Sequence, residues 1–391
     1  MSAASKRVKC VAFAYEYDAS NLNVQSGRPH SLLQEFRRRV AVCDAFDLNH
    51  RLKYLSAGKK LLSKIGALGN YNLEREPLNL RSYARQVMGN VSRSAMPVDM
   101  IFCPSTLVPT HLKTSIPIVM CNDTPFSGLI GYNPYFSNLS KAYVERAYAQ
   151  EAAAHRNATL VVYPSTWARD LAIDEHGCDP EKIIVHPFGA NLPYDLPADW
   201  LSRRDQRAGR CPITFLLISS DFERKGGAAL LGLIDRLRAM GQDARCIVVG
   251  EGEVPSGYGR AIGRVDKRSP EGAARFLEAM TDSDFVILPS HREAFGMSLV
   301  EGSSHGLPMI GRAVGGITSI INDGVTGLLF ENDKEIPLLA NEILEVWNSP
   351  ELYSQMSVAA KAFAEREANW SAFVDHVLSE IETRISEGAR Q

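Results

Sequence analysis

The sequence predicts an α/β protein with two Rossmann-like domains, each built on a doubly wound parallel sheet, facing one another across a cleft. Three observations lead to this prediction. The chain has 391 residues, more than one hydrophobic core usually organises. Hydrophobic residues make up 45% and charged residues 23%, close to the average for soluble globular proteins. Short β-branched runs alternate with longer helical patterns throughout, which is typical of parallel strands joined by crossover helices.

Strands and helices can be assigned in order along the first half. Four short apolar runs predict buried strands at 8–15, 99–103, 117–121 and 159–163. Three longer periodic segments predict helices at 31–45, 80–92 and 140–157. The stretch near 187–210 is rich in proline and then in charge, and because it lacks periodicity it is the best candidate for a linker.

A second alternating series follows this linker. Its strands are predicted at 213–219, 245–250, 284–289, 307–311 and 327–330. Amphipathic helices are predicted from 336 to 385. The two domains are therefore assigned to residues 1–190 and 195–370, and we expect a final helix at about 371–391 to pack back on the N-terminal domain.

Cysteine spacing and the length of the apolar runs indicate where the protein functions. The seven cysteines are scattered and form no C-x-x-C pair, which favours reduced thiols over a disulfide framework or a zinc site. No apolar run is long enough to span a bilayer, and residues 1–10 lack the apolar segment of a signal peptide. We therefore expect a cytoplasmic protein, with no nucleic-acid partner.

Positive charge is concentrated in the first half. Residues 1–190 carry 22 Lys and Arg against 16 Asp and Glu, whereas the remaining residues carry 21 against 29. The basic segment RLKYLSAGKKLLSKIGAL at 51–68 mixes Lys and Arg with leucines. A solvated basic face is one interpretation of this bias. A surface for anionic lipid or an anionic acceptor, at the inner face of a membrane, is the other.

The richest motif lies between 289 and 330. A predicted strand ends there, and a loop containing Glu293 and Gly296 leads into a helix from about Met297. Such a junction presents backbone N–H groups and the positive end of a helix to an anion. Glu301, about one turn into the helix, can accept two hydrogen bonds from a ribose diol. By themselves, two glutamates eight positions apart are equally consistent with an ordinary surface.

The surrounding pattern is more specific. The spacing E-x-F-G-x-x-x-x-E, followed by G-L-P, V-G-G-I and D-G-V-T-G-L-L-F, closely resembles the donor-site signature of glycosyltransferase family 4, retaining enzymes with the GT-B fold. The resemblance implies that Glu293 contacts hydroxyls of the donor sugar and that Glu301 contacts the ribose. It implies that the donor phosphate lies on backbone amides near Phe295, Gly296, Met297 and Ser298. A second glycine loop would approach the same donor at Gly315 and Gly316.

A basic turn follows the first strand of the C-terminal domain. In SSDFERKGG at 219–227, Arg224 and Lys225 can clamp a diphosphate and neutralise charge on a leaving nucleoside diphosphate. A solvated turn is the alternative. The segment resembles the K-G motif of the family, but Ser219 stands where many relatives have an arginine. Lys225 is therefore the stronger candidate, with Arg224 covering the missing charge.

Three further segments resemble parts of the family pattern. Ser26 and Gly27 match a glycine loop near the donor phosphates and the acceptor, although a simple turn fits them as well. Asp123 is a candidate for an acceptor-side polar contact or a helix cap, and Asn122 before it replaces a histidine that is common in relatives. Val265 lies in the stretch that matches the base-binding loop, where the backbone would meet the base.

The resemblance implies a transferase of the hexosyltransferase class, acting in polysaccharide, glycolipid or other glycoconjugate biosynthesis. The N-terminal domain would bind a carbohydrate or lipid-linked acceptor, and the C-terminal domain a UDP-, GDP- or ADP-sugar. No cofactor is expected and no metal is required. Two alternatives stay open: a nucleotide-sugar epimerase of the same architecture, and a noncatalytic nucleotide-sugar-binding module. A dehydrogenase and a P-loop ATPase are disfavoured, because no G-x-G-x-x-G follows the first strand and no G-K-[ST] occurs.

Overall fold

The computed structural model describes residues 8–21, 24–48, 73–192, 199–209 and 212–388. The chain divides into two compact units. The first unit comprises Met1–His186 together with Trp370–Gln391, and the second comprises Pro187–Asn369. Each unit contains one parallel sheet, and each sheet has six strands among the described residues.

The sheet of the first unit has the strand order β2-β1-β3-β4-β5-β6, and all its pairings are parallel. The strands are β1 Cys10–Tyr15, β2 Val42–Asp47, β3 Met100–Cys103, β4 Ile118–Cys121, β5 Leu160–Tyr163 and β6 Ile183–Val185. The helices between them are α1 Arg28–Arg39, α2 Pro77–Val91, α3 Phe126–Leu129, α4 Lys141–Asn157 and α5 Thr166–His176. The strand order reverses between β1 and β3, and the carboxyl ends of strands at such a point form the usual ligand crevice of an open α/β sheet.

One predicted helix of the first unit ends earlier than expected. The helix predicted at 31–45 ends at Arg39, and residues from Val42 onward form β2. Val40 is already extended, with φ −117° and ψ 159°, and β2 pairs with β1 along its whole length, from Val42 opposite Cys10 onward. Pairing with β1 therefore overrides a helical periodicity that continues past the real helix end.

The sheet of the second unit has the order β12-β11-β10-β7-β8-β9, again entirely parallel. Its strands are β7 Ile213–Ser219, β8 Ala244–Gly250, β9 Gly259–Ala261, β10 Phe285–Leu288, β11 Met309–Arg312 and β12 Gly327–Phe330. Its helices are α6 Trp200–Asp205, α7 Gly227–Ala239, α8 Pro270–Thr281, α9 Met297–Ser303, α10 Ile336–Asn348 and α11 Pro350–Arg366. Numbered within the unit, this order is the Rossmann order 3-2-1-4-5-6, whose reversal lies between β7 and β10.

Every predicted strand is present, and the prediction of two doubly wound parallel sheets is confirmed. Two further strands, β6 and β9, were not predicted because each has three residues and lies at a sheet edge. The segment predicted as a linker contains the short helix α6. In the second unit, Phe215, Phe285, Trp347 and Tyr353 form a contiguous aromatic core, with ring centroids 5.4–6.2 Å apart.

The last helix, α12 Trp370–Gly388, belongs to the first unit. It packs against α1, where Arg39 pairs with Asp375 at 2.8 Å. At the start of β1, the backbone N–H of Val8 donates to Glu382 at 3.3 Å. Within the described ranges, no helix is long and apolar enough to cross a membrane.

Candidate active site

Two loops meet at the strand reversal of the second unit. Because β7 and β10 are neighbours, the loops that follow them lie side by side. The ammonium of Lys225, from the first loop, donates to the carboxylate of Glu293, from the second. Ser290 also donates to Glu293, at 3.4 Å. Both ionic side chains are mostly buried, with 13% of Lys225 and 6% of Glu293 exposed. The fold thus joins two predicted site residues that are far apart in sequence.

A third loop, which follows β11, approaches the backbone beside Glu293. Gly315 has a φ of 54°, and a Cβ at this position would lie 1.8 Å from the carbonyl oxygen of Glu293. The N–H of Gly316 donates to the same oxygen at 3.2 Å, and its Cβ would lie 2.4 Å from the carbonyl oxygen of Ala294. Only glycine fits this contact, so the V-G-G-I motif allows the loops after β10 and β11 to touch through their backbones.

The start of α9 follows directly. Gly296 caps the helix with a φ of 108°, which favours glycine. The ring of Phe295 is buried and lies 5.2 Å from the ring of Phe188. Ser298 is buried and Met297 is half-buried. The side chain of Phe295 therefore serves packing, and the backbone of this turn is the part that can serve a ligand.

The second glutamate of the motif also has a lysine partner. Glu301 on α9 is buried, and its Oε1 lies 2.6 Å from Nζ of Lys267. Lys267 lies between β9 and α8, two residues after the half-buried Val265. In the sequence analysis, only the backbone around Val265 was expected to contact the donor, so the Lys267 side chain was not identified. A lysine within the matched base-binding loop was the signal that could have found it.

Arg224 is placed differently from its neighbour Lys225. Its backbone N–H donates to Asp221 at 3.1 Å, and its Nε lies 3.7 Å from the same carboxylate. The hydroxyl of Ser219 accepts the N–H of Asp221 at 2.9 Å, which closes this turn. The structure therefore brings Lys225 to Glu293, whereas Arg224 contacts its own loop.

The candidate residues of the first unit gather at the amino end of α1. Gln25, Ser26 and Gly27 all have left-handed backbones, with φ of 47°, 56° and 82°. For the first two this conformation is strained. The loop presents Arg28, which is buried and donates to the side-chain oxygen of Asn122 at 3.3 Å. Arg28 was not singled out from the sequence, because only the fold reveals its burial.

Asp123 follows β4 directly and is half-buried. Arg28 also donates to the carbonyl oxygen of Pro104, just after β3, at 3.2 Å. Asn122 in turn donates to the carbonyl oxygen of Thr124 at 2.9 Å. These hydrogen bonds connect the segments that follow β1, β3 and β4 at the carboxyl ends of the strands, next to Asp123.

A buried carboxyl lies at the strand reversal of the first unit. Glu16 follows β1 and accepts a hydrogen bond of 2.6 Å from Ser105, which follows β3. The pKa of Glu16 is raised to about 7, and burial is the main cause. The negative charge of Glu74 also raises this pKa, whereas the hydrogen bond from Ser105 and the positive charge of Arg28 lower it. This group was not identified from the sequence.

Glu16 gives unfolding a definite pH dependence. Since its pKa is raised to about 7 in the folded protein, against an ordinary 4.5, the folded chain keeps a proton that the unfolded chain has released. The free energy of unfolding therefore falls as pH rises between these values; above about pH 7 the full loss remains and no longer changes with pH. Between pH 5 and pH 8, ionisation of Glu16 should lower the unfolding free energy of the wild type by roughly 2–3 kcal/mol. We expect Glu16→Gln to lack this decrease. Denaturant titrations at both pH values measure this, with the exposed Glu145→Gln as control. Equal slopes in wild type and Glu16→Gln would contradict the assignment.

Known proteins share this architecture. The catalytic domain of starch synthase IV from Arabidopsis thaliana, bound to ADP and acarbose, superposes with a TM-score of 0.63 at 13% identity, covering 98% of this chain and 100% of that chain. Anabaena Alr3699/HepE in complex with UDP-glucose gives a TM-score of 0.60 at 17% identity, covering 96% and 99%. With its two parallel sheets, the chain therefore has the GT-B fold.

The second unit also matches in sequence. Residues 200–363, called the group 1 domain below, match the protein-family model described as Glycosyl transferases group 1. The chain is 28% identical over 205 residues to a D-inositol 3-phosphate glycosyltransferase of Geodermatophilus obscurus, covering 48% of this chain and 45% of that protein. The chain spans about half the length of the curated relatives it matches.

Proposed function

We propose that this protein is a retaining glycosyltransferase of family 4 that uses a nucleoside-diphosphate sugar as donor. The observation that carries the proposal is the pair of contacts Lys225–Glu293 and Lys267–Glu301 in the group 1 domain. Glu293 precedes the glycine-capped start of α9, and Glu301 lies on that helix. This set combines cations for a diphosphate with acceptors for sugar and ribose hydroxyls.

In the proposed reaction, the bond between the anomeric carbon and the diphosphate oxygen breaks. A bond from the acceptor hydroxyl oxygen forms on the same face of the sugar, and the hydroxyl proton passes to the leaving diphosphate. Lys225 stabilises the negative charge that grows on that diphosphate. Glu293 accepts hydrogen bonds from donor sugar hydroxyls and so orients the ring. No second carboxylate has to flank the bond, in contrast to a glycosidase.

The proposed donor follows from this site, and the proposed acceptor follows from the candidate residues of the first unit. We propose a UDP-, GDP- or ADP-sugar donor, since the solved neighbours contain UDP-glucose in one case and ADP in another. The proposed acceptor is a carbohydrate or a lipid-linked glycan, placed near Asp123 and the loop of Ser26 and Gly27. No metal or other cofactor forms part of the proposal.

Contact with an anionic membrane is a separate proposal and rests on sequence charge. The basic segment at 51–68 lies outside the described residues. Co-sedimentation with anionic vesicles at low salt, lost at high salt, would support it. Absence of binding at low salt would exclude it.

A thermal-shift screen tests the proposed donor. We expect one of UDP, GDP or ADP, and its sugar conjugates, to raise the melting temperature, because a ligand that binds only the folded state stabilises it. Glu301→Ala should weaken that nucleotide by about 1.5–3 kcal/mol, the contribution of hydrogen bonds to a charged group. Calorimetry with wild type and Glu301→Ala measures this difference. If none of these nucleotides binds the wild-type protein, the proposed function is wrong. Turnover of the donor without any acceptor would instead indicate an epimerase.

A further inference from the structure

The contact between Lys267 and Glu301 extends the proposed nucleotide site. We propose that Lys267 is a positioning residue that fixes the Glu301 carboxylate for the 2′,3′-diol of a ribonucleotide. The inference rests on the proposed function, which supplies the nucleotide. Lys267 is argued to act through Glu301 and not to contact the ligand itself.

Two contacts, one with a carboxylate and one with an aromatic ring, hold the ammonium of Lys267. Its Nζ lies 2.6 Å from Oε1 of Glu301 and 4.0 Å from the centroid of the Phe276 ring. Phe276, on α8, is fully buried, and a lysine ammonium over an aromatic face is electrostatically attracted to it. Since 29% of the Lys267 side chain is exposed, its contacts with buried groups and not simple burial fix its position.

The backbone around Lys267 is also anchored. Asp266 and Arg268 flank Lys267 in sequence and pair with each other at 2.7 Å. The hydroxyl of Ser269 accepts the N–H of Gly272 at 3.0 Å and so caps α8. A Cβ at Gly272 would lie 2.1 Å from the carbonyl oxygen of Asp266, so this loop packs tightly on the first turn of the helix. The loop thus holds the lysine in place before any ligand arrives.

The contact with Lys267 leaves Glu301 with enough acceptor capacity to bind a nucleotide. A carboxylate offers about four lone-pair sites, and the ammonium occupies one, so two hydroxyl donors can still be accepted. Glu301 lies on the same short helix whose first turn is the proposed phosphate site. Lys267 therefore holds Glu301 in the orientation that a ribose diol requires.

The test compares two ligands that differ only at the ribose. The probe is whichever of UDP, GDP or ADP binds the wild-type protein most tightly, together with its 2′,3′-dideoxy counterpart. For Lys267→Met, which keeps an apolar stem and removes the charge, we expect about tenfold weaker binding of the ribonucleotide. Binding of the dideoxy nucleotide should stay within about twofold of wild type, because its contacts do not involve Glu301.

Three further variants separate positioning from a general structural effect. Lys267→Arg, which keeps a donor and a charge, should restore most of the ribonucleotide affinity. Lys267→Met added to Glu301→Gln should weaken binding no further than Glu301→Gln alone, because both act on one contact. Lys334→Met removes an exposed lysine of the same unit and should leave both affinities unchanged.

The outcomes distinguish the inference from the proposed function. Equal weakening of both nucleotides by Lys267→Met, or no weakening of either, overturns the positioning role while nucleotide binding stands. A wild-type protein that binds neither UDP, GDP nor ADP overturns the proposed function, and the positioning role with it. Loss of ribonucleotide affinity alone, with rescue by Lys267→Arg, supports the inference.

Discussion

Replacement of Lys225 by methionine is expected to lower kcat by about 10²–10³ while changing the donor KM much less. The reason is the timing of the interaction. Charge on the diphosphate grows as the glycosidic bond breaks, so a cation at this position stabilises the transition state more than the bound donor. Lys225 is held beside the strand reversal by Glu293, at the position proposed for the leaving diphosphate. Steady-state kinetics with varied donor concentration measure both constants.

Two variants control this experiment. Arg224→Met removes the adjacent positive charge, but Arg224 contacts Asp221 in its own loop, so its effect on kcat should be clearly smaller. Lys225→Arg keeps the charge and should retain more activity than Lys225→Met. A rise in donor KM with unchanged kcat would mean that Lys225 binds the donor uniformly and plays no special part in the transition state.

Removal of Lys225 also leaves the buried Glu293 carboxylate without this partner. An uncompensated charge in a mostly buried position is unfavourable, and part of any loss could reflect local rearrangement. The double variant Lys225→Met with Glu293→Gln removes both charges. It serves only as a stability control, because Glu293 is itself proposed to orient the donor sugar. If the melting temperature of Lys225→Met matches the wild type and the double variant while its kcat is low, the loss of rate belongs to catalysis and not to folding.

The sequence predicted the sheets well because their signal is local. Runs such as Ile213–Ser219 and Phe285–Leu288 are apolar, short and bounded by turn residues, and the structure buries them almost completely. Strand β2 was mistaken for the end of a helix, because its burial is incomplete and its pattern is mixed. What defines β2 is its pairing with β1, a contact between segments far apart in sequence.

The same distinction applies to the candidate site. Lys225, Glu293 and Glu301 stand in motifs whose spacing was visible, and the fold places the first two in contact. Their assigned roles stay predictions. Lys267 lies in a segment that matched the family pattern and Arg28 lies next to one, but the importance of both depends on partners from other elements, Glu301 and Asn122. Motifs therefore identified one side of each contact, and only the tertiary structure supplied the other.

The first unit contains a buried ion pair whose disruption is expected to be strongly destabilising. Nη2 of Arg75 lies 3.1 Å from Oε2 of Glu151, with only 6% and 0% of the two side chains exposed. The guanidinium also lies 4.7 Å from the centroid of the Phe126 ring and donates to Thr106 at 3.4 Å. Gln150 donates to the carbonyl oxygen of Arg75 at 2.9 Å, which links α4 to the segment before α2. Neither charge has ready access to water.

We expect Arg75→Met to lower the free energy of unfolding by about 3–5 kcal/mol, because the change leaves the Glu151 carboxylate buried without its cation. The double variant Arg75→Met with Glu151→Leu should recover most of this loss, since a well-packed apolar pair avoids the desolvation of both charges. Denaturant unfolding of the wild type and of both variants, followed by circular dichroism, measures the differences. If the double variant is as unstable as Arg75→Met alone, the loss comes from packing around Phe126 and not from the unpaired charge. If Arg75→Met is nearly as stable as wild type, water reaches Glu151 and the pair is not buried in solution.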